Sequence, residues 1–115
     1  MTVTIYHNPR CSKSRETLHL LRDRGIEPEI IEYMTTPPSA SELDRLLKLM
    51  RREPRTLMRK GEAEYKALQL DDAKLSRAAL IAAMVAHTKL IERPIVLANG
   101  KAALGRPPEA VLEIL

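Results

Sequence analysis

Residues 6–15 read YHNPRCSKSR and hold the only cysteine of the 115-residue chain. A sulfur that merely fills space sits among apolar neighbours, whereas hydroxyls and cations are the company of a working thiolate. Residues 2–6, TVTIY, read as a strand and residues 12–24 as a helix, so Cys11 falls between a strand and a helix N-terminus. Unpaired backbone N–H groups and the positive end of the helix dipole gather at such a place. Thiols there have pKa values of roughly 3.5–7.5, and oxyanions bind there too. His7, Lys13 and Arg15 add positive charge if they turn inward, and Ser12 and Ser14 bring hydroxyl donors. One spot can thus serve an anionic nucleophile and an anionic substrate. Spacing alone leaves the plainer readings open: a buried structural cysteine, a surface His7, and Lys13 and Arg15 as solvated first-turn side chains. Those two bases oppose the dipole at a helix start, which favours a functional reason for them.

Several chemistries are excluded by spacing. A cysteine phosphatase loop needs Arg six residues after Cys, and that residue is Thr17; a dithiol oxidoreductase needs C-x-x-C, and the second position is Ser14. One Cys and three scattered histidines (His7, His19, His87) offer no metal-ligand spacing, so no metal is expected. Three further bases stand out by context. Arg93 precedes Pro94 before an apolar run, Arg106 precedes Pro107, and Arg59 lies in LMRKGE. Taken singly, each reads as a surface base.

The elements that must position these residues follow from periodicity and turn chemistry. In the 12–24 helix, Leu18 and Leu21 share a face and Gly25 stops it. EIIEY at 29–33 is a second strand, making a right-handed βαβ unit. Residues 39–88 carry helical patterns and no strand pattern. Ser39 and Glu42 have capping-box spacing, Ser76 is positioned to cap a further helix, and Pro54 and Gly61 break the region between. PIVLANGKAAL is a hairpin with Asn99-Gly100 as a type I′ turn, and RPPEAVLEIL ends in a short apolar helix. The order β-α-β, helical insert, β-β-α is that of an α/β, thioredoxin-like mixed four-stranded sheet with a helical insertion at about residues 39–88. A single domain spanning 1–115 is expected.

Composition narrows the partners. The chain is 44% hydrophobic with 3% aromatics, no Trp and no Phe, so its core must come from Leu, Ile, Val, Met and Ala. The longest apolar run, 78–86, falls well short of the roughly 20 residues of a membrane span. The N-terminus lacks the pattern of a secretory signal. A cytoplasmic protein with a reduced thiol is expected. The net charge of +4 and the basic stretch 51–60 suit an anion; without aromatic stacking platforms they argue against nucleic acid. A lone cysteine also has no internal thiol to resolve it once oxidised.

Taken together, YHNPRCSKSR, LMRKGE, ERPIV and GRPPEAVLEIL resemble the glutaredoxin- and glutathione-coupled arsenate reductase (ArsC) family, in order and over nearly the full length. The resemblance implies a thioredoxin-like fold in which the Arg93–Pro94 bond is cis and faces the cysteine. It implies that Cys11 is the nucleophile that attacks arsenate and that His7 helps it ionise. Arg59, Arg93 and Arg106 would surround the oxyanion, with Ser14 and Arg15 contributing from the loop. It implies no bound cofactor. Glutathione would be co-substrate and glutaredoxin the partner that closes the cycle; separately from the resemblance, a monomer is expected. The family's best-understood members carry Gly-Thr after the cysteine where this chain has Ser12-Lys13, which changes the donors facing the anion and places the chain nearer a branch named by similarity. Two other functions remain on the sequence: a glutathione-dependent monothiol oxidoreductase acting on another oxyanion or a mixed disulfide, and a polymerase-binding regulator, though regulators of this fold sense with the C-x-x-C that Ser14 interrupts.

Overall fold

The computed structural model describes residues 2–115. The chain packs as two compact units: residues up to Thr36 with Arg93–Leu115, and Pro37–Glu92. The first unit contains β1 (Thr4–His7), α1 (Ser12–Asp23), β2 (Glu29–Glu32), β3 (Ile95–Ala98) and β4 (Lys101–Leu104), followed by a 3-10 helix at Pro108–Ile114. These strands form one sheet in the order β2-β1-β3-β4. β1 and β2 are parallel, pairing His7 with Glu32 at their carboxyl ends; β3 and β4 run antiparallel. This is the mixed four-stranded sheet that the order of elements predicts.

Local chemistry sets the boundaries. α1 ends at Gly25, whose φ of +75° suits a residue without a side chain. The N–H of Gly25 donates to the Arg22 carbonyl and that of Ile26 to the Leu21 carbonyl, closing a Schellman motif. Asn99 and Gly100 both take positive φ, 56° and 70°, as a type I′ hairpin requires. The closing segment departs from the expected α-helix. It winds as a 3-10 helix, led by Pro107 at the N-cap and Pro108 inside its first turn, two residues that lack an N–H.

The core of this unit is Val3 and Ile5 of β1, Leu21 of α1, Val96 and Ala98 of β3, and Val111 and Ile114. It buries α1 and the closing helix against the sheet. The buried residues of α1 are Ser14, Thr17 and Leu21, with Leu18 only at the core's margin, so the face predicted from Leu18 and Leu21 is rotated toward two hydroxyls. Tyr6 and Tyr33 are also buried, at 4% and 2% exposure, so the interior is not wholly aliphatic.

The second unit holds α2 (Ala40–Met50), α3 (Ala63–Ala67) and α4 (Arg77–Ala86), with 3-10 turns at Pro54–Leu57 and Thr88–Leu90. Ser39 and Ser76 cap α2 and α4 by accepting from the N–H groups of Glu42 and Ala79. α2 packs on α4, Arg77 Nε donates to Asp44 at 2.8 Å, and Leu43, Leu46, Leu47, Leu80, Ile81 and Met84 are buried. An isolated antiparallel bridge, Met58 to Ile91, adds a β contact that the sequence pattern does not show.

Candidate active site

Cys11 is the N-cap of α1, in extended backbone (φ −98°, ψ 124°), and its side chain makes no capping hydrogen bond. The usual N-cap is Ser, Thr, Asp or Asn, whose oxygen accepts from the first turn. A cysteine there leaves the N–H groups of Ser12, Lys13 and Ser14 without intrahelical partners.

The preceding residues form a tight turn. The Cys11 N–H donates to the Asn8 carbonyl at 3.0 Å, with Pro9 inside the turn, and the Arg10 N–H donates to Asn8 Oδ1 at 3.0 Å. Arg15 Nη1 reaches back to the Pro9 carbonyl at 2.9 Å. Ser14, fully buried, accepts from the Asn8 N–H at 3.0 Å and lies 2.6 Å from His7 Nδ1. The turn that carries the sulfur is thus fastened to its own helix at both ends.

Cys11 is buried, at 7% exposure. Arg106 Nη2 lies 3.6 Å from Cys11 Sγ, while its Nε donates to the Arg93 carbonyl at 2.8 Å. The bonds before Pro94 and Pro107 are both cis; the first is the one the resemblance implies, the second is additional. Arg93 Nε and Nη1 are withdrawn from solvent. Two of the three arginines therefore sit together within the unit that holds Cys11, one of them on the sulfur. No three or more His, Cys, Asp or Glu among the described residues are grouped to hold a metal. The family model described as ArsC family matches residues 6–114.

The chain belongs to the ArsC family. It is 51% identical to an arsenate reductase of Haemophilus influenzae over the whole of both chains. It is 60% identical to the uncharacterized protein YfgD of Escherichia coli K12, over 98% of this chain and 96% of that one. The solved arsenate reductase from Vibrio cholerae matches with a TM-score of 0.97 at 59% identity, over 100% of this chain and 98% of that one. No helix among the described residues is long and apolar enough to cross a membrane.

Within this ArsC chain the remaining predicted residues divide. Lys13 turns outward and pairs with Glu16 at 3.5 Å, both well exposed. Arg59 lies in the second unit, where its side chain faces Glu62 at 3.4 Å and Glu92 at 3.7 Å and its N–H donates to the Leu90 carbonyl. Ser14 and Arg15 brace the turn. Burial lowers the pKa of His7 below its ordinary value; the Glu32 carboxylate opposes this, and Arg22 and Arg15 add to it. A neutral imidazole bonded to Ser14 is the form that burial favours, rather than an added cation beside the sulfur.

Two residues that sequence reasoning passes over matter here. The backbone of Gly105 approaches Thr17 and Pro94 so closely that a Cβ would lie 2.6 Å from Thr17 Oγ1 and 2.8 Å from Pro94 Cγ. Its N–H donates to the Pro94 carbonyl at 2.9 Å, and Thr17 Oγ1 donates to the Lys13 carbonyl at 2.8 Å. Gly105 thus sets how near Arg106 comes to α1. A glycine directly before an Arg-Pro pair was the available signal, and Ser14, Thr17 and Leu21 at helical spacing marked the buried face.

Two outcomes are expected. Gly105→Ala must displace the Pro94 ring or Thr17, destabilising the protein by about 1–3 kcal/mol in urea unfolding and lowering turnover beyond what lost folded protein explains. For His7, a folded pKa below the unfolded value means that the unfolded chain binds the extra proton first. That contribution to stability is complete above about pH 6.5 and is lost as pH falls through the lower folded value. The urea midpoint of the wild-type protein should therefore drop between pH 7.5 and 5 more steeply than that of His7→Gln, and parallel slopes would contradict this.

Proposed function

We propose that the chain is a glutathione- and glutaredoxin-dependent arsenate reductase with Cys11 as nucleophile, an oxidoreductase of the reducing cytoplasm. The observation that carries this is the arginine on the sulfur: Arg106 Nη2 stands 3.6 Å from Cys11 Sγ, beside the uncapped first turn of α1. A tetrahedral oxyanion needs donors on several sides, and guanidinium forks with backbone N–H groups provide them. Relatives that are named arsenate reductase, at 44–51% identity, support the choice of oxyanion.

In the proposed cycle the Cys11 thiolate attacks arsenic(V) and an arsenate oxygen leaves as water, giving a cysteine–arsenic adduct. Glutathione adds its sulfur to that arsenic with loss of a second water. A glutaredoxin thiolate then attacks the glutathione sulfur. The sulfur–arsenic bonding pair stays on arsenic, which becomes arsenic(III), and the glutathione leaves on glutaredoxin as a mixed disulfide. Water cleaves the remaining Cys11–arsenic bond, releasing arsenite and the free thiol. The lone cysteine suits this scheme, since every resolving thiol comes from outside.

Arg106 is assigned the role of oxyanion holder, supported by its contact with the sulfur; Arg93, whose carbonyl accepts from Arg106, is assigned it by family resemblance. Arg59 is assigned the same role by family resemblance. The neutral His7, through Ser14, holds the turn and can relay a proton. Preorganised donors of this kind contribute about 2.7–4 kcal/mol each to a transition state.

Cys11→Ser should fold normally and abolish arsenate-dependent NADPH oxidation in an assay coupled through glutathione, glutaredoxin and glutathione reductase. Retained turnover would remove Cys11 from the chemistry. Reduction of a glutathione mixed disulfide, with no response to arsenate, would favour the monothiol oxidoreductase instead.

A further inference from the structure

A cleft of about 400 Å³ opens beside the Cys11 turn, lined by Asn8, Pro9, Arg10, Glu32, Met34 and Thr35. Its volume is within the range of small-molecule sites. It lies past the carboxyl ends of β1 and β2, where His7 pairs with Glu32, the edge at which open α/β sheets commonly take ligands. One wall is the turn itself, so the cleft begins one residue away from the nucleophile.

The cleft carries one charge of each sign. The Arg10 guanidinium and the Glu32 carboxylate are of opposite sign, yet neither forms an ion pair with the other or with any described residue. The Arg10 backbone N–H donates to Asn8 Oδ1 and the Glu32 carbonyl accepts from Thr35, while the Glu32 carboxylate acts on the neighbouring His7. The lining thus offers both a cation and an anion to a ligand that carries both signs. Met34, 37% exposed, adds an apolar surface between polar groups.

We propose that this cleft seats the glutathione that attacks the cysteine-bound oxyanion, with Arg10 holding one of its carboxylates and Glu32 its γ-glutamyl ammonium. This rests on the reading of glutathione as co-substrate given above. The cleft discriminates among candidates by charge. A second oxyanion or a nucleic acid backbone is repelled by Glu32, and an uncharged thiol has no use for either group. A small zwitterionic peptide thiol satisfies both, and the cleft adjoins the turn that leads into Cys11.

The test uses S-methylglutathione, which binds without reacting, titrated into the full chain and followed by amide NMR. Shifts should concentrate at residues 8–10 and 32–35. Arg10→Ala and Glu32→Gln should each weaken binding about three- to tenfold. In turnover the same variants should raise KM for glutathione by the same factor, and Arg10→Ala should leave KM for arsenate unchanged. Shifts centred elsewhere, or unaltered affinity in both variants, would overturn the cleft even if glutathione-dependent arsenate reduction stands. Binding in the cleft by a protein that fails to reduce arsenate would uphold the cleft and sink the arsenate reading.

Discussion

One guanidinium stands against the only cysteine sulfur of the chain, on a residue that is 7% exposed. A thiolate formed at such a place would be held by the protein rather than by water. Arg106 spans two fixed points, its Nη2 at the Cys11 sulfur and its Nε on the Arg93 carbonyl. Because the second contact is made to backbone, the first is pre-set before any substrate arrives. The close approach of Gly105 to Thr17 and Pro94 determines how near that guanidinium comes. The close-packed meeting of α1, the start of β3 and the end of β4 is therefore as much a part of the chemistry as the charge itself.

Beneath the sulfur lies a layer with a different task. Ser14 and Thr17 are fully buried on α1, one bonded to the Asn8 N–H and to His7, the other to the Lys13 carbonyl. They hold the turn and the first helical turn in register. In the proposed function an incoming anion would meet the backbone amides of residues 12–14 and the arginines, since burial disfavours a charge on His7. Having a cysteine as N-cap serves both ends: it starts the helix and leaves its first amides available.

Much of this was legible in the sequence, for definite reasons. Strand-helix-strand periodicity gave the parallel pair. Asn99-Gly100 marked the hairpin because both residues must take positive φ, and Ser39 and Ser76 marked helix starts because their hydroxyls replace missing acceptors. The neighbours of Cys11 marked it as the residue to ask about, and it does sit at the start of α1 as their pattern indicated. What stayed hidden depended on which way side chains turn. Ser14, Arg15 and Lys13 all looked like anion donors, but one is buried under the turn, one braces the Pro9 carbonyl and one pairs with Glu16. A list of residue types does not contain those rotations. The 3-10 winding of Pro108–Ile114 and the two tyrosines in the interior were hidden likewise, because tertiary packing decides them.

The central claim is that Arg106 keeps Cys11 nucleophilic and helps to seat the oxyanion. The most direct measurement is the rate of Cys11 alkylation by the neutral reagent iodoacetamide at pH 7, with and without arsenate, in the wild-type protein and in Arg106→Gln, a neutral side chain that still fills much of the space. The account predicts alkylation about tenfold slower in the variant, and protection by arsenate in the wild-type protein that is largely lost in the variant. Equal rates in the two proteins, with no protection of either, would contradict it.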